Sequence, residues 1–140
     1  MKVTEIYDLE QRTKLELPLF LVRVPAGLPS PGDDYIERKL DLNELIKHPE
    51  ATFLVRVEGD SMINAGINSG DILVVDRAAE PAHNKIVVAY LNGELTVKRL
   101  KIENTKIYLA AENPEYKPIR ITPLMDFEIR GVVTTVIHKL

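Results

Sequence analysis

The sequence predicts a mainly β protein: a single compact, twisted or barrel-like β-domain with a short helix and an extended N-terminal arm. Three observations predict it. Apolar and polar residues alternate with period two across Thr52–Glu58, the pattern of a half-buried strand. An Asn92-Gly93 pair separates two apolar runs, as in a tight hairpin. Four of the nine prolines (Pro18, Pro25, Pro29 and Pro31) crowd into one short early stretch that cannot be regular structure. A chain of 140 residues, 45% of them apolar, suits one domain with one core.

The elements follow in chain order. Residues 1–17 are too few to bury a core of their own and mix Lys2, Glu5, Asp8 and Glu10 among their apolar positions, unlike a signal peptide. Residues 18–32 read as an extended connector, because each proline fixes its own φ and biases its predecessor towards extended backbone. Asp41-Leu42-Asn43-Glu44 resembles a capping box, with Asp41 as N-cap and a helix ending before Pro49. In Thr52–Glu58 the residues Phe53, Val55 and Val57 share one face, and Leu54, Arg56 and Glu58 the other. A short apolar run at 71–76 reads as the next strand. Ile86–Leu91 and 94–100 form the hairpin about Asn92-Gly93, whose type I′ turn needs positive φ at both positions. Strands at 106–111 and 127–138 complete the domain, separated by turns at Pro114, Pro118 and Pro123.

Composition removes whole classes of function. Without cysteine there is no disulfide framework, no thiolate nucleophile and no thiolate metal site. His48, His83 and His138 are far apart in sequence, and neither a metal nor another cofactor is expected. A net charge of −3 with interspersed signs gives no basic footprint for nucleic acid. No apolar run reaches the roughly 18 residues of a membrane span, so a cytoplasmic setting without membrane contact is expected.

The segment Glu58-Gly59-Asp60-Ser61-Met62 closes a predicted strand with a sharp turn, a position where a serine hydroxyl can be presented as a nucleophile. A Gly-Asp-Ser turn is also an ordinary structural turn. The histidines are poor bases for Ser61: His48 precedes a proline, His83 lies in a turn, and His138 is near the C-terminus. A lysine can act as base if it is neutral, which requires burial in an apolar strand. Lys98 meets that condition, since alternation along Leu95-Thr96-Val97-Lys98-Arg99-Leu100 groups it with Thr96 and Leu100. The plain alternative is a strand-edge lysine facing water. Met62 reads as core filler.

Three motifs join these residues. Gly59-Asp60-Ser61-Met62, Gly70-Asp71-Ile72-Leu73-Val74-Val75-Asp76 and Gly93-Glu94-Leu95-Thr96-Val97-Lys98-Arg99-Leu100 resemble the catalytic half of the LexA/UmuD family of self-cleaving Ser-Lys proteases (peptidase family S24). Ala26-Gly27-Leu28-Pro29-Ser30-Pro31, Asp34-Tyr35 and Asp41-Leu42-Asn43 extend the likeness, which is closest to the UmuD-like members and runs from about Leu17 to Val136. The resemblance implies a LexA/signal-peptidase-like β-domain with Ser61 as nucleophile, Lys98 as general base and Ala26-Gly27 as the scissile bond. By the same analogy, the backbone N–H groups of Asp60 and Ser61 form the oxyanion site. Residues 1–26 would then be a removable arm and residues 27–140 the protease-like domain.

The resemblance further implies an SOS-response role. A RecA–single-stranded-DNA filament would stimulate cleavage, and the trimmed homodimer would join a UmuC-like Y-family polymerase in translesion synthesis. Twenty-six residues containing Pro18 and Pro25 cannot hold a helix-turn-helix, so direct sequence-specific DNA binding is not expected. The rival reading is a noncatalytic β-domain that regulates a polymerase through its arm. Pro25 departs from an ideal docking segment, since it removes a backbone donor beside the bond. Extended, residues 27–61 span on the order of 110 Å, so reach allows cleavage within one chain or between two.

Overall fold

The alternating segments pair into antiparallel strands in the computed structural model, which describes residues 1–9, 16–20 and 36–140. The strands are β1 (Lys2–Asp8), β2 (Glu16–Phe20), β3 (Ile36–Asp41), β4 (Thr52–Glu58), β5 (Ile72–Asp76), β6 (Ile86–Leu91), β7 (Glu94–Glu103), β8 (Lys106–Ala110), β9 (Ile119–Arg120) and β10 (Phe127–Ile137). The chain divides into two units, one formed by Met1–Leu9 with Glu50–Leu140 and the other by Glu10–Pro49.

In the larger unit eight strands form one sheet in the order β1-β4-β5-β10-β6-β7-β8-β9. β1 pairs on its other side with β7. Six strands (β1, β4, β5, β10, β6 and β7) therefore close a ring, the barrel-like architecture that the sequence predicts. Closure leaves no exposed edge on these strands where β1 is paired on both sides.

Alternation sorts side chains between two cores. On β6, Val88 packs with Val55, Val57, Leu73, Val75 and Val97, whereas Val87 and Ala89 pack with Leu100, Leu109 and Val132. Met62 is fully buried in the first cluster, in keeping with its reading as core filler. The Asn92-Gly93 turn has φ of 47° and 94°, as a type I′ hairpin demands. A second hairpin turn, between β7 and β8, places Asn104 at φ 56°. Asparagine tolerates this conformation better than other side chains do.

β10 pairs with β6 through its first half and with β5 through its second, with register breaks at Ile129/Gly131 and Val133/Thr135. Such bulges bend a strand and so help the sheet curve into a ring. Gly131 lies at the handover. A Cβ there would come within 2.6 Å of a Val75 methyl and 3.2 Å of the Asp76 carbonyl oxygen.

The smaller unit pairs β2 antiparallel with β3. Asp41 caps the following turn as expected, but its carboxylate accepts from the Asn43 N–H at 3.0 Å, and the helix is a single 3-10 turn, Leu42–Leu45. A longer helix needs an apolar face to bury, and Leu42 and Leu45 are 38% and 47% exposed. The strand over Lys2–Asp8 is not evident from the sequence. The proposed division at residue 26 falls outside the described residues. Among the described residues, no helix is long and apolar enough to cross a membrane.

Gly131→Ala is expected to destabilise the protein by about 1–3 kcal/mol, the usual cost of overpacking a tight contact. Chemical denaturation with an unchanged m-value checks this, and an unaltered midpoint would show that β10 can move away from Val75.

Candidate functional site

β4 ends at Glu58, and the chain turns through Gly59 at φ 106° before reaching Ser61. A left-handed φ of this kind favours glycine, which explains the residue at that position. The turn is fixed from several sides. The Gly59 N–H donates to Ser69 Oγ at 3.2 Å, and the Gly70 N–H to the Val57 carbonyl at 2.7 Å. Beyond Ser61, the buried Met62 anchors a 3-10 turn at Ile63–Ala65, which Gly66 terminates at φ 81°. Ser61 is thereby held 2% exposed.

Asp60 is tied to a distant loop. Tyr116 Oη donates to Asp60 Oδ1 at 2.5 Å, and Asn113 Nδ2 donates to the Asp60 carbonyl at 3.0 Å. The Tyr116 hydroxyl is pushed to a higher pKa, chiefly because it donates to this carboxylate. Next to them the Asn64 N–H donates to the Glu112 carbonyl at 3.0 Å, and Arg99 forms an ion pair with the Glu112 side chain.

Lys98 enters from β7. Its alignment with Thr96 is realised in space: Nζ lies 3.0 Å from Thr96 Oγ1, 3.2 Å from the Val97 carbonyl oxygen and 3.1 Å from Ser61 Oγ. Lys98 is 8% exposed, so the reading of a lysine facing water does not hold. Burial pushes its pKa below 10.5, because desolvation penalises the charged ammonium; a hydrogen bond with the chain's first amine opposes this in part. All three oxygens are placed to accept from Nζ, Ser61 Oγ included.

Met1 completes the surroundings. Its nitrogen donates to Ser61 Oγ, and its carbonyl accepts from the Val97 N–H and from Thr96 Oγ1, each at 2.9 Å. The pKa of the Met1 amine is lowered from 8.0 to about 5, first by burial and then by Lys98, so the amine is neutral at neutral pH.

The structure thus brings Ser61 and Lys98 together and places Asp60 in the turn beside them. Ala26 and Gly27 lie outside the described residues. His83 Nδ1 accepts from the Ile102 N–H at 2.9 Å, and His138 Nδ1 contacts the buried Asp71 carboxylate at 2.5 Å. His138 remains at the surface, half exposed, while pairing with this carboxylate. Sequence reasoning misses Met1, Asn113 and Tyr116, whose partners are more than fifty positions away. Thr96 could have been found from its place two residues before Lys98 on the same strand face.

A model of the peptidase S24-like family matches residues 18–134. The chain belongs to the peptidase S24-like family. Among S24-related proteins, it is 50% identical to Protein SamA of Salmonella typhimurium over 123 residues, 87% of this chain and 85% of that protein. It is 46% identical to Protein ImpA of Escherichia coli over 124 residues, 87% of this chain and 83% of that one. LexA repressor 1 of Pseudomonas putida is 44% identical over 118 residues, 84% of this chain but 58% of the repressor. Membership in S24, with its self-cleaving serine peptidases, agrees with the mainly β ring and with the likeness drawn from the motifs.

Burying Lys98 has a thermodynamic consequence. Its folded-state pKa is depressed, so in the window between that value and 10.5 the unfolded chain binds more protons, and stability rises with pH. Lys98→Met removes this cost. The variant is expected to melt at a higher temperature than the parent at pH 7, with the difference shrinking as pH approaches 10.5. Calorimetry across that range checks it, and a constant difference would contradict the stated protonation behaviour.

Proposed function

We propose that this S24 member cleaves its own Ala26–Gly27 bond with Ser61 as nucleophile and Lys98 as general base. The contact that carries the reading is Lys98 Nζ at 3.1 Å from Ser61 Oγ, inside the hydrogen-bonding range from which a base takes a proton. In the proposed reaction neutral Lys98 accepts the Ser61 proton as Oγ attacks the Ala26 carbonyl carbon. The protonated amine then gives that proton to the Gly27 nitrogen, and the C–N bond breaks. Water hydrolyses the resulting Ser61 ester, releasing residues 1–26 and restoring the hydroxyl. The backbone N–H groups of Asp60 and Ser61 are the proposed donors to the oxyanion, in the turn that Tyr116 and Asn113 brace.

The wider role follows the family. The chain belongs with the SOS-related proteins of S24, and on this reading a RecA–single-stranded-DNA filament stimulates cleavage in the cytoplasm. The shortened chain then acts as a homodimer with a UmuC-like Y-family polymerase in translesion synthesis. Support for this part comes from the likeness to SamA, ImpA and LexA repressors.

Intact-mass analysis of the purified chain, alone and with activated RecA filament, tests the proposal. Two products that divide the chain at Ala26–Gly27 are expected. Clipping without filament should accelerate as pH rises and level off below 10.5, because the base is the neutral form of a lysine with a lowered pKa. Ser61→Ala should abolish the reaction, and Lys98→Ala should slow it by about 10²–10⁴-fold, the usual contribution of a general base. A chain that stays whole under every condition would instead favour the noncatalytic interaction module.

A further inference from the structure

Ser61 and Lys98 come from β4 and β7, which are not adjacent in the sheet except through β1. β1 lies antiparallel to β4, with Lys2 opposite Glu58 and Asp8 opposite Phe53, and meets β7 at its start, where Lys2 is opposite Thr96 and the Met1 carbonyl accepts from Val97 and Thr96. Without β1 the ring would open along a groove, with the nucleophile and the lysine at one end. Met1 fills that end: it is 7% exposed, and its nitrogen contacts the serine hydroxyl.

The direction of the strand matters. β1 starts at Ser61 and runs away from it in the N-to-C direction. In a peptide substrate only the segment following the scissile bond has that polarity. A nitrogen on the nucleophile, followed by an extended strand, also matches the position of a departing amine.

Few side chains of β1 are buried. Met1 and Val3 are its residues in the core, Lys2 and residues 4–8 are exposed, and the register breaks between Val3 and Glu5. Past the first residues a cavity of about 210 Å³, lined among others by Ile6, Asp8, Leu95 and Arg130, parts β1 from the opposite side of the ring. A strand held chiefly by backbone pairing to β4, with few buried side chains, is suited to exchange with another strand that pairs in the same way.

We propose that the groove between β4 and β7 is a binding site for the extended peptide segment that follows a scissile bond, and that β1 occupies it as an internal competitor that keeps Ser61 covered. The proposal rests on the proteolytic reading of Ser61 and Lys98. Residues from Gly27 onward would take the same track, so β1 must leave before the Ala26–Gly27 bond can reach the hydroxyl. Neutrality of the Met1 amine fits this dry position, since a charged one would be costly there.

The test measures fluorophosphonate labelling of Ser61 and self-cleavage in the full chain and in two variants. Val3→Asp sets a charge against the core and should release β1, giving labelling and cleavage about tenfold faster, as for a closed state favoured by that factor. Glu5→Lys turns the exposed ion pair with Arg56 into a repulsion and should give about a two- to threefold increase at low salt. A synthetic peptide of residues 1–8 should slow labelling of Val3→Asp. If that variant lacks a cooperative melt, Glu5→Lys decides. Labelling at the parental rate, or none in any chain, overturns the proposal. Faster labelling with no cleavage in any chain supports the covered groove and removes the self-cleavage reading.

Discussion

The structure depends on keeping one lysine nitrogen out of water. Lys98 sits in a strand whose neighbours belong to packed apolar clusters, and its amine is surrounded by two hydroxyls and a carbonyl. An ammonium is strongly hydrated in solution, and three uncharged oxygens offset the loss of that hydration only in part. The proton is therefore held less tightly than on a surface lysine, next to the Ser61 hydroxyl. Many features of the fold serve this condition. The six-strand ring supplies the dry wall, the Gly59 turn delivers Ser61 to it, and the Asp60 contacts with Asn113 and Tyr116 brace that turn from outside.

A closed ring and access to the proposed Ser61–Lys98 centre make opposite demands. β1 reconciles them by closing the ring at the seam where Ser61 and Lys98 meet, with few buried side chains of its own. On the proposed reading, β1 is the one separable side of the ring. Local opening of this kind draws on the least protected part of a fold, and β1 has the exposed side chains and irregular register expected of such a part.

Much of this was legible in the residues. Alternation located β4, and Asn92-Gly93 located the β6–β7 hairpin because few other pairs accept two positive φ values. Ser61 and Lys98 stood out because a glycine-rich turn follows one strand and a lysine interrupts another. β1 was hidden: the bulge between Val3 and Glu5 spoils its period, most of its side chains face solvent, and its partners lie far along the chain. The Asp60 braces were hidden for the same reason of sequence distance. The helix after Asp41 was overextended because its cap is real while its leucines are not buried.

The most direct test of the central claim is the titration of Lys98 itself, followed by the NMR shifts of its Cε and Nζ in the intact, Ser61→Ala chain, in which no cleavage can intervene. A midpoint below 10.5 is the predicted result. A midpoint at or above 10.5 would mean that the lysine remains an ammonium beside Ser61, and would contradict the account.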